Sequence, residues 1–144
     1  MVRAMTDPNK KLFILAKGDA YEQLHSMVGL VATAASMGWE AHVFLTYGAL
    51  YRFAHESMAE AEVTFRTPEV KKAYEKGIDN GKIPDLDELM DEARELGGGR
   101  IKLYGCTTSV KLLHMEPALL GKVDTLLAHA SFLHMVGDGH LVVT

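Results

Sequence analysis

The stretch of residues 11–46, KLFILAKGDAYEQLHSMVGLVATAASMGWEAHVFLT, decides the fold class of this chain. Residues 11–16 and 41–46 are short apolar runs, the first followed by Gly18, and such runs are typical of buried strands. Between them, four apolar residues recur at helical spacing, namely Leu24, Val28, Val31 and Ala35. Gly38 follows where a helix C-cap glycine is expected. A strand, a helix and a strand in this order predict a parallel unit with a right-handed crossover.

The rest of the chain continues the alternation of strands and helices. The patterns predict further helices over residues 47–62, 67–79, 85–97, 107–115 and 125–135, and further strands over 100–105, near Val123 and over 140–144. The predicted fold is therefore α/β, a three-layer arrangement in which a five-stranded, mostly parallel sheet has helices on both faces. We expect a flexible N-terminal tail over residues 1–10 and a single domain over residues 11–144.

Composition and charge exclude several classes of protein. The chain has 144 residues, 48% hydrophobic and 24% charged, as in ordinary globular domains. Its formal net charge is −4 and its basic residues are scattered, so we expect no nucleic-acid partner. The most apolar stretch, residues 27–35, is much shorter than the ~20 residues that span a bilayer. With no secretory signal in residues 1–10, we expect a cytoplasmic protein without a membrane partner.

The single cysteine, Cys106, restricts the chemistry that the chain can perform. One thiol forms neither an intrachain disulfide nor a multi-thiolate metal site. Ser109 stands where a C-x-x-C motif needs its second cysteine, and Leu112 stands where a phosphatase loop needs arginine. The histidine spacings match no metal-binding motif, so we expect neither a metal nor a cofactor. His25 and His114 are the histidines whose positions allow them to approach a pocket near the thiol.

Cys106 directly follows a predicted strand and directly precedes a predicted helix. Ligand sites in open parallel sheets lie beyond the carboxyl ends of the strands, where the loop residues here are Asp19, Tyr47, Thr107 and Thr108. A sulfur in this place faces backbone N–H groups and the positive end of a helix dipole, and both favour the thiolate. The alternative interpretation is that Cys106 is a small buried apolar residue, which is common for free cysteines.

Four segments carry a family resemblance: residues 11–16 (KLFILA), 34–39 (AASMGW), 43–49 (VFLTYGA) and 101–109 (IKLYGCTTS). In this order they resemble the DsrE/DsrF-like sulfur-relay family over about residues 11–144. The resemblance implies a five-stranded parallel protomer that assembles into trimers or hexamers. It also implies that Cys106 carries persulfide sulfur between partner proteins. Some members use a second cysteine, which this chain lacks.

Two functions are expected from these observations. The first is a cytoplasmic sulfur carrier or sulfurtransferase that holds sulfane sulfur on Cys106 and exchanges it with sulfur donor and acceptor proteins. In this interpretation Asp19, Tyr47, Thr107 and Thr108 shape the pocket. The alternative is a non-catalytic oligomeric scaffold or regulatory subunit with Cys106 buried. A hydrolase or a nucleotide-binding module lacks a supporting motif.

A homo-oligomer is expected from apolar surface as well as from the resemblance. Trp39, Phe132 and Met135, together with the amphipathic segment of residues 63–84, are the predicted source of exposed apolar surface. Residues 63–84 are predicted to form either a lid over a site or a packing surface for another subunit.

Overall fold

The computed structural model describes residues 9–144, so most of the predicted tail lies outside the described residues. Five strands form one sheet in the order β4-β3-β2-β1-β5, and every neighbouring pair is parallel. Their bounds are β1 Lys11–Ala16, β2 Glu40–Leu45, β3 Ile101–Cys106, β4 Thr125–Leu127 and β5 His140–Val143. The predicted α/β class and its five-stranded parallel sheet are confirmed.

Helices connect the strands within the described residues. They are α1 Tyr21–Ser36, α2 Tyr47–Ala54, α3 Pro68–Asp79, α4 Leu86–Gly97, α5 Thr107–Leu112 and α6 His129–Val136. Short 3-10 turns lie at Met58–Glu60, Gly98–Arg100 and Pro117–Leu120. None of the helices in residues 9–144 combines the length and the apolar character needed to cross a membrane.

The main core lies on one face of the sheet. Side chains alternate between the two faces of each strand, so Ile14, Val43 and Leu103 are aligned on this face in the register of β1, β2 and β3. Val28 of α1 and Met90 of α4 pack against them, and all five residues are fully buried. Burial of the apolar stripes of α1 and α4 holds these helices on the sheet.

A second, smaller cluster lies on the opposite face of the sheet. Its buried members are Phe13, Phe44, Tyr104, Cys106, Phe132 and Val136. Among the described helices, α6 alone contributes to it, through Phe132 and Val136. From β1 to β4, each new strand is added on the same side of the one before it. The connection from β4 to β5 then runs in the reverse direction, from one edge of the sheet to the other. A right-handed crossover in that direction places α6 on the face opposite α1.

Local contacts explain where two helices begin and end. Asp85 caps α4, because its carboxylate accepts hydrogen bonds from the backbone N–H groups of Asp87 and Glu88. The Arg100 guanidinium donates to the carbonyls of Ala35 and Leu96, in the last turns of α1 and α4. A cation at these carbonyl ends also complements the helix dipoles.

Three predicted boundaries are wrong. The helix predicted over residues 47–62 ends at Ala54, and the chain turns at Glu56, whose φ is 52°. The helix predicted over 107–115 ends at Leu112, before the turn at His114 with φ 49°. The helix predicted over 125–135 begins only at His129, because Thr125–Leu127 pairs with β3 as strand β4. This pairing is a tertiary contact that periodicity along the chain does not reveal.

Candidate thiol site

The carboxyl ends of the first three strands meet through two loop contacts. Gly48, after β2, lies so close to Asp19, after β1, that a Cβ added to it would come within 2.7 Å of the Asp19 carboxylate oxygen Oδ2. The Tyr47 backbone N–H donates a hydrogen bond of 2.8 Å to the hydroxyl of Ser109 in α5. These contacts bring together the loops that were predicted to converge at this edge of the sheet.

Tyr47 has an unusual conformation at this edge. Its φ is 45°, in the left-handed region, and its side chain is 49% exposed. This conformation is unfavourable for a residue with a side chain. The hydrogen bond from its N–H to the buried Ser109 hydroxyl helps to hold it, because breaking that bond would leave a buried acceptor without its partner.

Cys106 is the last residue of β3 and is 0% exposed. Its side chain points into the second cluster with Phe44 and Phe132. Cys106 is also the residue before α5, yet its sulfur caps no backbone N–H of that helix. The sulfur therefore makes no cap hydrogen bond to the N-terminus of α5, and its side chain points toward the face of the sheet that α6 covers.

His129 is the polar neighbour of the thiol. It is the first residue of α6, and its Nδ1 lies 3.8 Å from Sγ of Cys106. Its ring meets Phe44 edge-on, with ring centroids 5.2 Å apart and an angle of 86° between the planes. The residue is exposed, whereas the sulfur beneath it is not. With the proton on Nε2, Nδ1 accepts the S–H hydrogen bond.

Sequence reasoning missed His129. The predicted helix over residues 125–135 places this histidine in the second turn of a helix rather than beyond the end of a strand. Assigning Thr125–Leu127 to a strand would have indicated its place, because Ala128 and His129 then follow the carboxyl end of β4 beside β3.

The other predicted pocket residues do not hydrogen-bond the sulfur within residues 9–144. Asp19 and Tyr47 contact the loops described above, while Thr107 and Thr108 form the first turn of α5. His129 is the one hydrogen-bond partner of Sγ in this part of the chain. The structure thus joins Cys106 to a residue that was not predicted, and it leaves the four predicted residues at the same edge of the sheet.

The two histidines whose positions in the sequence allowed an approach to the thiol lie elsewhere. The ring of His25 packs against Tyr21 and Tyr74, with centroids 5.9 Å away in both cases. His25 belongs to α1, on the opposite face of the sheet from Cys106. His114 lies in the turn after α5 and makes no hydrogen bond to the sulfur.

The segment of residues 63–84 is not a lid over Cys106. Both the backbone N–H and the hydroxyl of Thr64 donate to the Glu22 carboxylate of α1. Tyr74 of α3 packs against Phe65 and against His25 of α1. These contacts place the segment over α1, on the face of the sheet opposite the thiol.

Polar side chains continue along the second face toward the amino ends of the strands. The Tyr104 hydroxyl and Nδ1 of His42 are hydrogen-bonded at 2.7 Å, and Nε2 of His42 lies 3.5 Å from the Glu40 carboxylate. Lys11 lies 3.3 Å from the same carboxylate. Burial lowers the pKa of His42, and this effect outweighs the opposing attraction of Glu40. Burial likewise raises the pKa of Tyr104.

The lowered pKa of His42 predicts a pH-dependent stability. The unfolded state binds a proton at His42 from about pH 6.5 downward, before the folded state does. Stability is therefore greatest above that pH and is lost as the pH falls toward the folded pKa. We expect His42→Gln to flatten this slope in urea unfolding between pH 5.5 and pH 8, and the exposed-site variant His134→Gln to retain it. An unchanged slope in His42→Gln would contradict the assignment.

Neither grouped metal ligands among the described residues nor a similar known protein indicates a function. Within residues 9–144, no three His, Cys, Asp or Glu side chains are grouped so that they could hold a metal ion. Comparison with protein-family models gives no match to this chain, and no curated protein matches its sequence.

Proposed function

We propose that this chain is a sulfur carrier that holds sulfane sulfur as a persulfide on Cys106. The observation that supports the proposal is the contact between the Cys106 sulfur, at the carboxyl end of β3, and the imidazole of His129. An imidazole within reach of a thiol is an arrangement that activates cysteine nucleophiles. The resemblance to the DsrE/DsrF-like sulfur-relay family agrees with this proposal.

The reaction is a pair of thiol exchanges with no net oxidation. The Cys106 thiolate attacks the outer sulfur of a donor persulfide, R–S–SH. The S–S bond of the donor breaks, Cys106–S–SH forms, and the donor leaves as R–S⁻. An acceptor thiolate then attacks the outer sulfur of Cys106–S–SH and restores the Cys106 thiolate. With one cysteine in the chain, the donor and the acceptor are other molecules, and we propose that they are proteins.

The route to the sulfur is part of the proposal. Cys106 is fully buried, and His129 is the exposed residue that contacts it. We propose that a donor approaches the sulfur from the side of His129, at the edge of the sheet where Tyr47 is also exposed. Asp19, Thr107 and Thr108 belong to the proposed approach to the sulfur rather than to its immediate contacts. We propose that this takes place in the cytoplasm.

The burial of Cys106 favours a second candidate, a non-catalytic oligomeric scaffold or regulatory subunit. Phe132, expected to add to the exposed apolar surface, is fully buried. Met135 is exposed, as expected, and other exposed apolar side chains on α6 and the edge strand β5 are Leu133, Leu141 and Val143. We propose that these exposed apolar side chains contact further copies of the chain, in the trimers or hexamers that the resemblance implies.

Alkylation of the native protein distinguishes the two candidates. A carrier must expose Cys106 without unfolding, so we expect iodoacetamide to modify the folded chain much faster than the chain unfolds. A scaffold with a permanently buried thiol is modified only as fast as it unfolds. The measurement is the alkylation rate below and above the urea midpoint, followed by intact mass. Modification limited to the unfolding rate would contradict the carrier.

A further inference from the structure

Within residues 9–144, the Cys106 sulfur lies among apolar side chains and beside one imidazole that can accept its proton. Phe44, Phe132 and Leu127 provide apolar surroundings, and Leu127 is the partner of Cys106 in the register of β3 and β4. Within residues 9–144, the sulfur has a single hydrogen-bond partner, Nδ1 of His129. The His129 residue is exposed, so its ring links the buried sulfur with the solvent.

We propose that His129 accepts the proton of the Cys106 thiol at Nδ1 and thereby makes the thiol reactive at neutral pH. This role rests on the proposed function, in which Cys106 is the nucleophile. The thiol S–H bond breaks and an Nδ1–H bond forms, giving a thiolate and an imidazolium that carries protons on both nitrogens. The imidazolium keeps both protons and stays beside the thiolate, and no electron changes hands.

The geometry suits this transfer. The edge-on contact with Phe44 fixes the plane of the His129 ring and directs Nδ1 toward the sulfur. The first residue of α6 supplies the imidazole, while the first turn of the same helix packs into the cluster through Phe132. A thiolate is costly in these apolar surroundings unless a cation accompanies it, so the imidazolium beside the sulfur is what allows the thiolate to form.

No other charged group competes for the thiol on the elements packed around it. On β3 and β2, the titratable side chains of the same face are Lys102, Tyr104, His42 and Glu40. Tyr104 is hydrogen-bonded to His42, and burial raises the pKa of its hydroxyl, so it stays uncharged at neutral pH. β4 carries no titratable side chain, and α6 carries only His134 besides His129. Lys111 of α5 is exposed and has no hydrogen bond to the sulfur.

Ultraviolet absorbance of the thiolate tests the role of His129 without requiring access to the sulfur. The signal is the difference between a protein with Cys106 and its Cys106→Ser counterpart, recorded across pH. We expect His129→Asn to move the midpoint of thiolate formation upward by at least about one pH unit, a tenfold loss of thiolate at lower pH. His134→Asn, at another exposed position of α6, is expected to leave the midpoint unchanged.

The outcomes separate this role from the proposed function. A midpoint that is the same in His129→Asn and in the wild type overturns the proton-acceptor role, whether or not the protein takes up sulfur. An upward shift supports the role even if no persulfide forms on Cys106, a result that would contradict only the sulfur carrier. Urea unfolding of His129→Asn checks that the variant is folded at the pH values used, and the exposed position of the residue favours that result.

Discussion

A Phe132→Ala variant is expected to lose about 3–5 kcal/mol of unfolding free energy, because a large buried aromatic side chain is removed and a cavity remains. Phe132 is fully buried. Its ring stacks on Phe44 with centroids 4.8 Å apart and meets Phe13 edge-on at 6.3 Å. Among the described helices, α6 alone supplies the second cluster, so no neighbouring helix there compensates for the loss.

Leu133→Ala is the matched control for this prediction. Leu133 is the next residue of α6 and is 57% exposed, so its truncation is expected to change the unfolding free energy by only about 0.5 kcal/mol. Urea unfolding of both variants and of the wild type gives the comparison. If Phe132→Ala lost less than about 1 kcal/mol, α6 would not be anchored on the sheet by this ring.

Cys106→Ser is expected to abolish sulfur uptake completely. Cys106 is the only cysteine, so no second thiol forms a persulfide in its place. A serine hydroxyl is close to the thiol in size and can donate to Nδ1 of His129, so the variant is expected to remain folded. If the variant is folded but takes up no sulfur, the Cys106 sulfur is the atom to which the transferred sulfur binds. Urea unfolding establishes that the loss does not come from unfolding.

Strong local patterns explain why much of the fold was predictable. The strand predicted over residues 11–16 coincides with β1, Lys11–Ala16, because a short apolar run followed by Gly18 has few other interpretations. The helix predicted to end before Gly38 does so, and Gly38 adopts φ 75°. The helix predicted over residues 85–97 matches α4, Leu86–Gly97, which Asp85 caps.

The unpredicted part of the site depends on contacts between distant segments. The sequence placed Cys106 correctly at the end of a strand. Residues two apart in a strand point to the same face of the sheet, so Tyr104 and Cys106 were expected to share a face. Which helix covers that side depends on the return of the chain from β4 to β5. His129 is 23 residues from Cys106 and begins that return, so their contact follows from topology rather than from a motif.

Intact-mass spectrometry after incubation with inorganic polysulfide tests sulfur carriage by Cys106 most directly. We expect the wild-type chain to gain the mass of whole sulfur atoms, a thiol reductant to remove this mass, and Cys106→Ser to gain none. A wild-type chain that stays unmodified, or an adduct that persists in Cys106→Ser, would contradict sulfur carriage by Cys106.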